Sequence, residues 1–386
     1  MREKVTSFTF IGLLAVFFLL VSVLPKDEMA SVKENRPLAE MPEVSFNNIF
    51  FGNFTTDYET YLTDNVAYRS RFVDFGTKFE KLWGIERKEA EKVAPLADGK
   101  KLVLSNGKIM EVFKANPDVR KQYISVLNDY AKKLDSDMYI MIAPTQLEFD
   151  SSEYSHYADS QKETIDAIYS GLKGYKTVNV YDKLKANKDS YIYFRTDHHW
   201  TQRGAYLGYE AISKATGHTP TPLKDLTHNS RDGFLGYLYN QANAPEYSKY
   251  ADTIEYFMPE ENYTIAAQGP NEKGEIVDYT GKIYNIPPEN TNPDYGLFMS
   301  GDHAFAKIET NNKNGKTALI IKDSYANAVL PLLTENYQTI LVIDPRNYFG
   351  TLDDLKKEHK IDDCIIINYV FTSTFSDYVD NLNRIK

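Results

Sequence analysis

Three side chains in two distant segments have the types needed for nucleophilic acyl chemistry. Asp197 and His199 stand two residues apart in Tyr193-Phe-Arg-Thr-Asp-His-His-Trp-Thr201. Ser324 follows the largely apolar run Thr317-Ala-Leu-Ile-Ile-Lys322, one residue after Asp323. A serine hydroxyl becomes a useful nucleophile when a base takes its proton, and the base is oriented by an acceptor on its other ring nitrogen. An aspartate two residues before a histidine can supply acceptor and base from one loop. Ser324 is therefore the candidate nucleophile, His199 the base and Asp197 the orienting carboxylate. The alternative is structural: Asp and Ser are favoured helix caps, and the Asp-His-His cluster also suits a turn.

Neighbouring residues offer secondary roles. Side chains of adjacent residues diverge, so His198 is expected to pack or to line the rim. Trp200 is either a substrate platform or core. Tyr325 and the backbone N–H groups after Ser324 are candidates for substrate contact and for holding an oxyanion. Asn368, closing Ile365-Ile-Ile-Asn, is an oxyanion or support candidate, and Arg346 a clamp behind the site. Asp197, His198, His199, Asp302 and His303 are also possible metal ligands. No His-x-x-His or His-Glu-x-x-His spacing accompanies them, and no metal is expected. The single cysteine, Cys364, lies in an apolar run and is expected to be a buried strand residue rather than a thiol nucleophile.

Positioning these groups requires strands that end where helices begin. Residues 138–143, 178–181, 191–194, 318–321, 339–343 and 364–367 are strand-like. Helical patterns cover 117–134, 161–172, 201–215, 324–333 and 352–358. Strands alternating with helices predict a mostly parallel sheet covered on both faces. In such sheets ligands bind beyond the carboxyl ends of the strands, where Ser324 falls. Asn106-Gly107 between two apolar runs predicts a type I′ hairpin. Residues 218–316 break the rhythm with Pro, Asn, Gly and Tyr, and are expected to form an irregular insertion with short strands, a lid or wall of the site.

The 386 residues carry a net charge of −10, with 42% hydrophobic and 25% charged residues, which fits a globular chain and disfavours a nucleic-acid groove. Arg2 and Lys4 precede uncharged residues 5–25, long enough to cross a bilayer near the short limit. No clear small-x-small cleavage site or lipid-accepting cysteine follows. Residues 1–25 are therefore expected to be an uncleaved single-pass anchor, with the bulk of the chain outside the cytoplasm; secretion after signal cleavage is the alternative. Residues 26–50 read as an extracellular stalk and 51–95 as a helical lead-in packed on the core, with Phe54, Tyr58, Tyr61, Leu62, Phe72, Phe75, Phe79 and Leu82 in helical spacing. Residues 96–386 form the expected α/β domain.

The Tyr193–Thr201 segment resembles the signature of the bacterial family named after its Asp-His-His-Trp motif. That family resembles the extracellular alginate O-acetyltransferase proteins, which have an SGNH-hydrolase-like fold. The resemblance implies that Asp197, His199 and Ser324 form the triad. Pro144-Thr145, Gly204 and Asp344-x-Arg346 are further apparent matches, while Gln146 and Lys322-Asp-Ser-Tyr depart from the relatives' pattern. It also implies O-acetyl transfer to a surface polysaccharide or exopolysaccharide. No cofactor is expected, since acetyl-CoA is not available outside the cell; a membrane-bound O-acyltransferase would hand over the acyl group. A carbohydrate acetylesterase with the same triad and a non-catalytic polysaccharide-binding or assembly protein are the rival readings.

Overall fold

A computed structural model describes residues 92–95, 101–150, 155–242, 244–260, 263–270, 276–280 and 282–386, with eight single positions before residue 66. The chain divides into two compact units, residues 1–90 with 243–246, and residues 91–242 with 247–386. In the first unit, the described Phe54, Tyr58, Tyr61 and Leu62 are helical. Phe54 stacks on Tyr58 at 5.7 Å, and Tyr58 on Tyr61 at 6.1 Å, as spacings of three and four residues require. The anchor of residues 1–25, most of the stalk, and Phe72, Phe75, Phe79 and Leu82 lie outside the described residues. Among the described residues, no helix is long and apolar enough to cross a membrane.

The second unit opens with β1 (Lys92–Pro95), β2 (Lys101–Ser105) and β3 (Lys108–Glu111), an antiparallel sheet. The β2–β3 turn has the left-handed pair that the sequence predicts, with φ of 50° at Asn106 and 72° at Gly107. Then come α1 (Pro117–Lys133), β4 (Asp137–Ala143), α2 (Gln161–Gly171), β5 (Tyr175–Thr177), α3 (Tyr181–Ala186) and α4 (Gln202–Ala215). The expected strand at 178–181 is replaced by the turn into α3. Asn179 accepts from the Tyr181 N–H and donates to Asp182, which favours a helix start. At 191–194 only Tyr193 pairs, in a single bridge to Trp200.

Residues 218–316 contribute β6 (Thr227–Phe234), α5 (Tyr237–Ala242), β7 (Asp252–Met258), β8 (Tyr263–Pro270), β9 (Ile276–Thr280) and β10 (Phe305–Thr310). The chain closes with β11 (Thr317–Lys322), α6 (Leu330–Leu333), β12 (Thr339–Ile343), α7 (Leu352–Glu358), β13 (Asp363–Tyr369) and α8 (Ser376–Arg384).

The central sheet runs β5-β4-β13-β11-β12-β10-β8-β9. It is mixed, which corrects the expectation of a mostly parallel sheet. From β5 to β12 neighbours are parallel; β12-β10, β10-β8 and β8-β9 are antiparallel. The burial patterns give the reason. β4, β11, β12 and β13 are buried almost end to end, as helix-covered parallel strands are. In β10 the buried Ala306, Ile308 and Thr310 alternate with the more exposed Phe305, Lys307 and Glu309. Such alternation fits an antiparallel strand with one wetter face. One face of the sheet packs Trp200, Tyr209 and Tyr325 with Ile320, Ile365 and Ile367. The other packs Tyr123, Tyr130 and Leu382 with Ile321, Ile366 and Cys364.

Candidate active site

Ser324 sits immediately beyond the carboxyl end of β11. The expected continuous helix at 324–333 is instead a 3₁₀ turn, Ser324–Ala328, followed by α6. Asp323 caps the turn by accepting the Tyr325 N–H at 2.8 Å, and Pro331 in the first turn of α6 has no N–H to continue the ladder. The histidine loop is closed by the Tyr193–Trp200 bridge and runs on into α4, which Thr201 caps.

The two segments meet. His199 Nε2 lies 2.8 Å from Ser324 Oγ, and His199 Nδ1 lies 2.6 Å from Asp197 Oδ1. The network fixes the tautomer: Nδ1–H donates to Asp197, and Nε2 accepts the Ser324 hydroxyl. Asp197 Oδ1 also accepts the His199 N–H at 2.9 Å, and Oδ2 the Tyr237 N–H at 2.8 Å. Burial opposes charge on Asp197, but the His199 and His198 rings and these hydrogen bonds outweigh it and hold the carboxyl well below the usual range. Tyr295 stacks flat on His199, with ring centroids 3.7 Å apart and planes 7° apart.

A cleft of about 450 Å³ opens at Ser324, lined by His198, Arg346, Tyr369, Phe375, Asp377 and Asn381 among others. His198 lines it as expected. Its ring lies 3.9 Å from that of His199, and its Nδ1 is 3.8 Å from Asp197 Oδ1, too far for a hydrogen bond. Burial, then the adjacent His199, lowers its pKa.

Trp200 is fully buried, so it is core rather than a substrate platform. Its Nε1–H donates to the Tyr325 carbonyl at 2.9 Å. Tyr325 is equally buried and its hydroxyl donates to the His198 carbonyl, so it contacts the motif and not the cleft. Asn368 is also sealed in. Its amide donates to Asp323 Oδ2 and the Tyr378 hydroxyl, and its oxygen accepts from Tyr123 at 2.8 Å. This makes it a support beneath Asp323, away from any oxyanion. Asp323 also accepts the Tyr369 N–H, and burial raises its pKa to about 7. The Tyr325 N–H and the Ala326 N–H are both taken by Asp323, at 2.8 and 3.2 Å.

Arg346 reaches the cleft from a buried ionic cluster. Its Nε and Nη2 hold Asp344 at 2.9 and 2.5 Å, and Nη2 reaches Asp302 at 2.8 Å. Lys322, 1% exposed, bonds the same two carboxylates at 2.6 and 3.2 Å. Asp302 is thereby committed to cations, and His303 Nε2 is 2.7 Å from the Met299 carbonyl. Asp197, His198 and His199 alone bring ligand atoms within 4.8 Å of one another among the described residues, but both His199 nitrogens serve the Asp–Ser line. Cys364 is fully buried in β13, and burial raises its thiol pKa.

Three residues important to this arrangement were not singled out from the sequence. Asp252, fully buried, accepts from the Arg195 N–H, the Thr196 N–H and hydroxyl, and the Tyr191 hydroxyl, pinning the loop that precedes Asp197. A Cβ on Gly236 would lie 2.3 Å from Asp197 Cβ, so only glycine lets this backbone approach the carboxylate. Tyr295 supplies the stacked face. All three belong to residues 218–316, which pack against Asp197 and His199 rather than lining the Ser324 cleft.

The fold and the site together define an α/β protein with a serine, a histidine and an aspartate hydrogen-bonded in series beyond the ends of parallel strands. The chain belongs to the DHHW family: the model described as DHHW protein matches residues 98–343. A DHHW family protein from Eubacterium siraeum is similar at 27% identity and a TM-score of 0.66, covering 75% of this chain and 97% of that one. PatB1 of Bacillus cereus matches at 19% identity and a TM-score of 0.61, over 72% and 99% of the two chains. The O-acetyltransferase domain of Pseudomonas putida AlgJ aligns at 12% identity with a TM-score of 0.42, over 74% and 100%. No curated protein matches the chain.

Proposed function

We propose that this protein is a serine-type O-acyltransferase that places acetyl groups on hydroxyls of a cell-surface polysaccharide. The carrying observation is the unbroken line from Asp197 through His199 to Ser324, at 2.6 and 2.8 Å, beside an open cleft. His199 Nε2 takes the Ser324 proton as Oγ attacks the acetyl carbonyl. In this reading the Ser324 N–H donates to the oxyanion. The intermediate collapses, the donor's leaving group takes the proton from His199, and an acetyl ester remains on Oγ. A sugar hydroxyl then gives its proton to His199 and attacks the ester. His199 returns that proton to Oγ as the acetylated sugar leaves.

The family resemblance, rather than the shape of the cleft, supports both the acetyl group and the polysaccharide acceptor. The uncharged segment 5–25 supports an anchored, extracytoplasmic placement, with a membrane-bound O-acyltransferase as donor partner. Residues 26–386 incubated with p-nitrophenyl acetate, with and without oligosaccharide, test the reaction. Acetylated sugar as product supports transfer. Acetate alone in both arms assigns the same site to hydrolysis. No ester cleavage by protein that remains folded removes the catalytic reading.

A further inference from the structure

Phe349 is 74% exposed, the most exposed large apolar side chain among the described residues. It is nonetheless braced. The Arg384 guanidinium lies against one face of the ring, 4.6 Å from the centroid. That guanidinium is fixed by the Tyr348 carbonyl at 2.6 Å, the Pro345 carbonyl at 2.7 Å and Asn381 Oδ1 at 3.1 Å. One face of Phe349 is thus occupied, and its exposure leaves the opposite face to solvent.

The platform adjoins the cleft. Asn381 lines the cleft and is one helical turn before Arg384 on α8. Arg346 lines it too, three residues before Phe349 on the same loop. Two side-chain contacts, Asn381 to Arg384 and Arg384 to Phe349, therefore connect the cleft wall to the ring. The groups fixed beside it are polar: the Arg384 guanidinium on its face and Asn381 bonded to that guanidinium. A protein partner would favour a contiguous apolar patch. A solitary aromatic face among hydrogen-bonding groups suits a pyranose, whose C–H face packs on the ring while its hydroxyls stay solvated or meet the neighbouring polar groups.

We propose that Phe349, braced by Arg384, is a sugar-stacking subsite that holds a pyranose ring of the acceptor next to the Ser324 cleft. This rests on the reading of the cleft as a glycan acyl-transfer site and names where the acceptor is gripped. Calorimetric titration of the wild type, Phe349→Ala and Phe349→Trp with chitotetraose and with cellotetraose tests it. The expected result is about fivefold weaker binding for Phe349→Ala, the weight of one aromatic contact, and retained binding for Phe349→Trp. Hydrolysis of p-nitrophenyl acetate without sugar should be unchanged in both variants. Equal binding by wild type and Phe349→Ala, or binding of neither sugar by the wild type, overturns the subsite. If the wild type binds sugar but cleaves no ester, the acyl-transfer reading fails while the binding comparison still decides the role of Phe349.

Discussion

Trp200 and Tyr325 fasten the two halves of the site to each other. The indole Nε1–H donates to the Tyr325 carbonyl at 2.9 Å, and the Tyr325 hydroxyl donates back to the carbonyl of His198. The rings also touch, with centroids 5.2 Å apart. His199 precedes Trp200 and Ser324 precedes Tyr325, so this pair sets the register in which imidazole and hydroxyl meet. The tryptophan of the motif thus acts through geometry.

Trp200→Phe keeps an aromatic core residue but removes the donor, leaving the Tyr325 carbonyl buried without its partner. The expected cost is about 1–3 kcal/mol of stability, read by urea unfolding. Ester turnover should fall mainly in kcat, because the Ser324–His199 contact loosens while the cleft wall stays. A variant with wild-type stability and turnover would contradict the fastening role.

Gly236→Ala tests the approach of the insertion to Asp197. The added methyl would meet Asp197 Cβ at 2.3 Å and Oδ2 at 2.5 Å, so the carboxylate or the 235–237 backbone must move. Turnover should fall at least tenfold, since small misplacements of a catalytic constellation are costly. Circular dichroism should show a retained fold. Unchanged turnover would mean that Asp197 does not need its present position.

Asp197→Asn keeps the shape of the side chain and removes its charge. Asparagine can present an N–H to the imidazole and select the tautomer that cannot accept the Ser324 proton. Turnover is expected to drop about 10³–10⁴-fold with an almost unchanged KM. A loss of only a few-fold would assign Asp197 a structural role.

Asp323 gives a pH signature. Its pKa rises from the ordinary aspartate range to about 7 because it is buried. The native state therefore holds a proton that the unfolded chain releases between about pH 4 and 7. Stability from this group is fully present below the unfolded pKa and is lost as pH rises through that window, on the order of 2–4 kcal/mol in total. Asp323→Asn removes the titration, so its plot of Tm against pH should be flatter there than that of the wild type. Parallel plots would contradict this.

Much of the scaffold was legible because its signals are local. Asn106-Gly107 carries its own turn, Thr201 its own cap, and the apolar runs of β4, β11, β12 and β13 announce buried strands. The motif and the serine were legible as chemistry because their residue types are specific. Trp200, Tyr325 and Asn368 were ambiguous, since large aromatics and amides serve cores and surfaces alike, and only burial decides. Asp252 had no local mark. It is one of 54 acidic residues, and its partners stand 56 or more residues away in the chain. The antiparallel edge was missed for a similar reason: β8 and β9 lie among Pro, Asn and Gly, and their pairing is set by β10 and β12 rather than by their own period.

The most direct test is acid-quenched intact-mass analysis after exposure to p-nitrophenyl acetate, comparing wild type, His199→Ala and Ser324→Ala. The account predicts one added acetyl group on the wild type, far slower labelling of His199→Ala and none on Ser324→Ala. Equal acetylation of Ser324→Ala and wild type would contradict it.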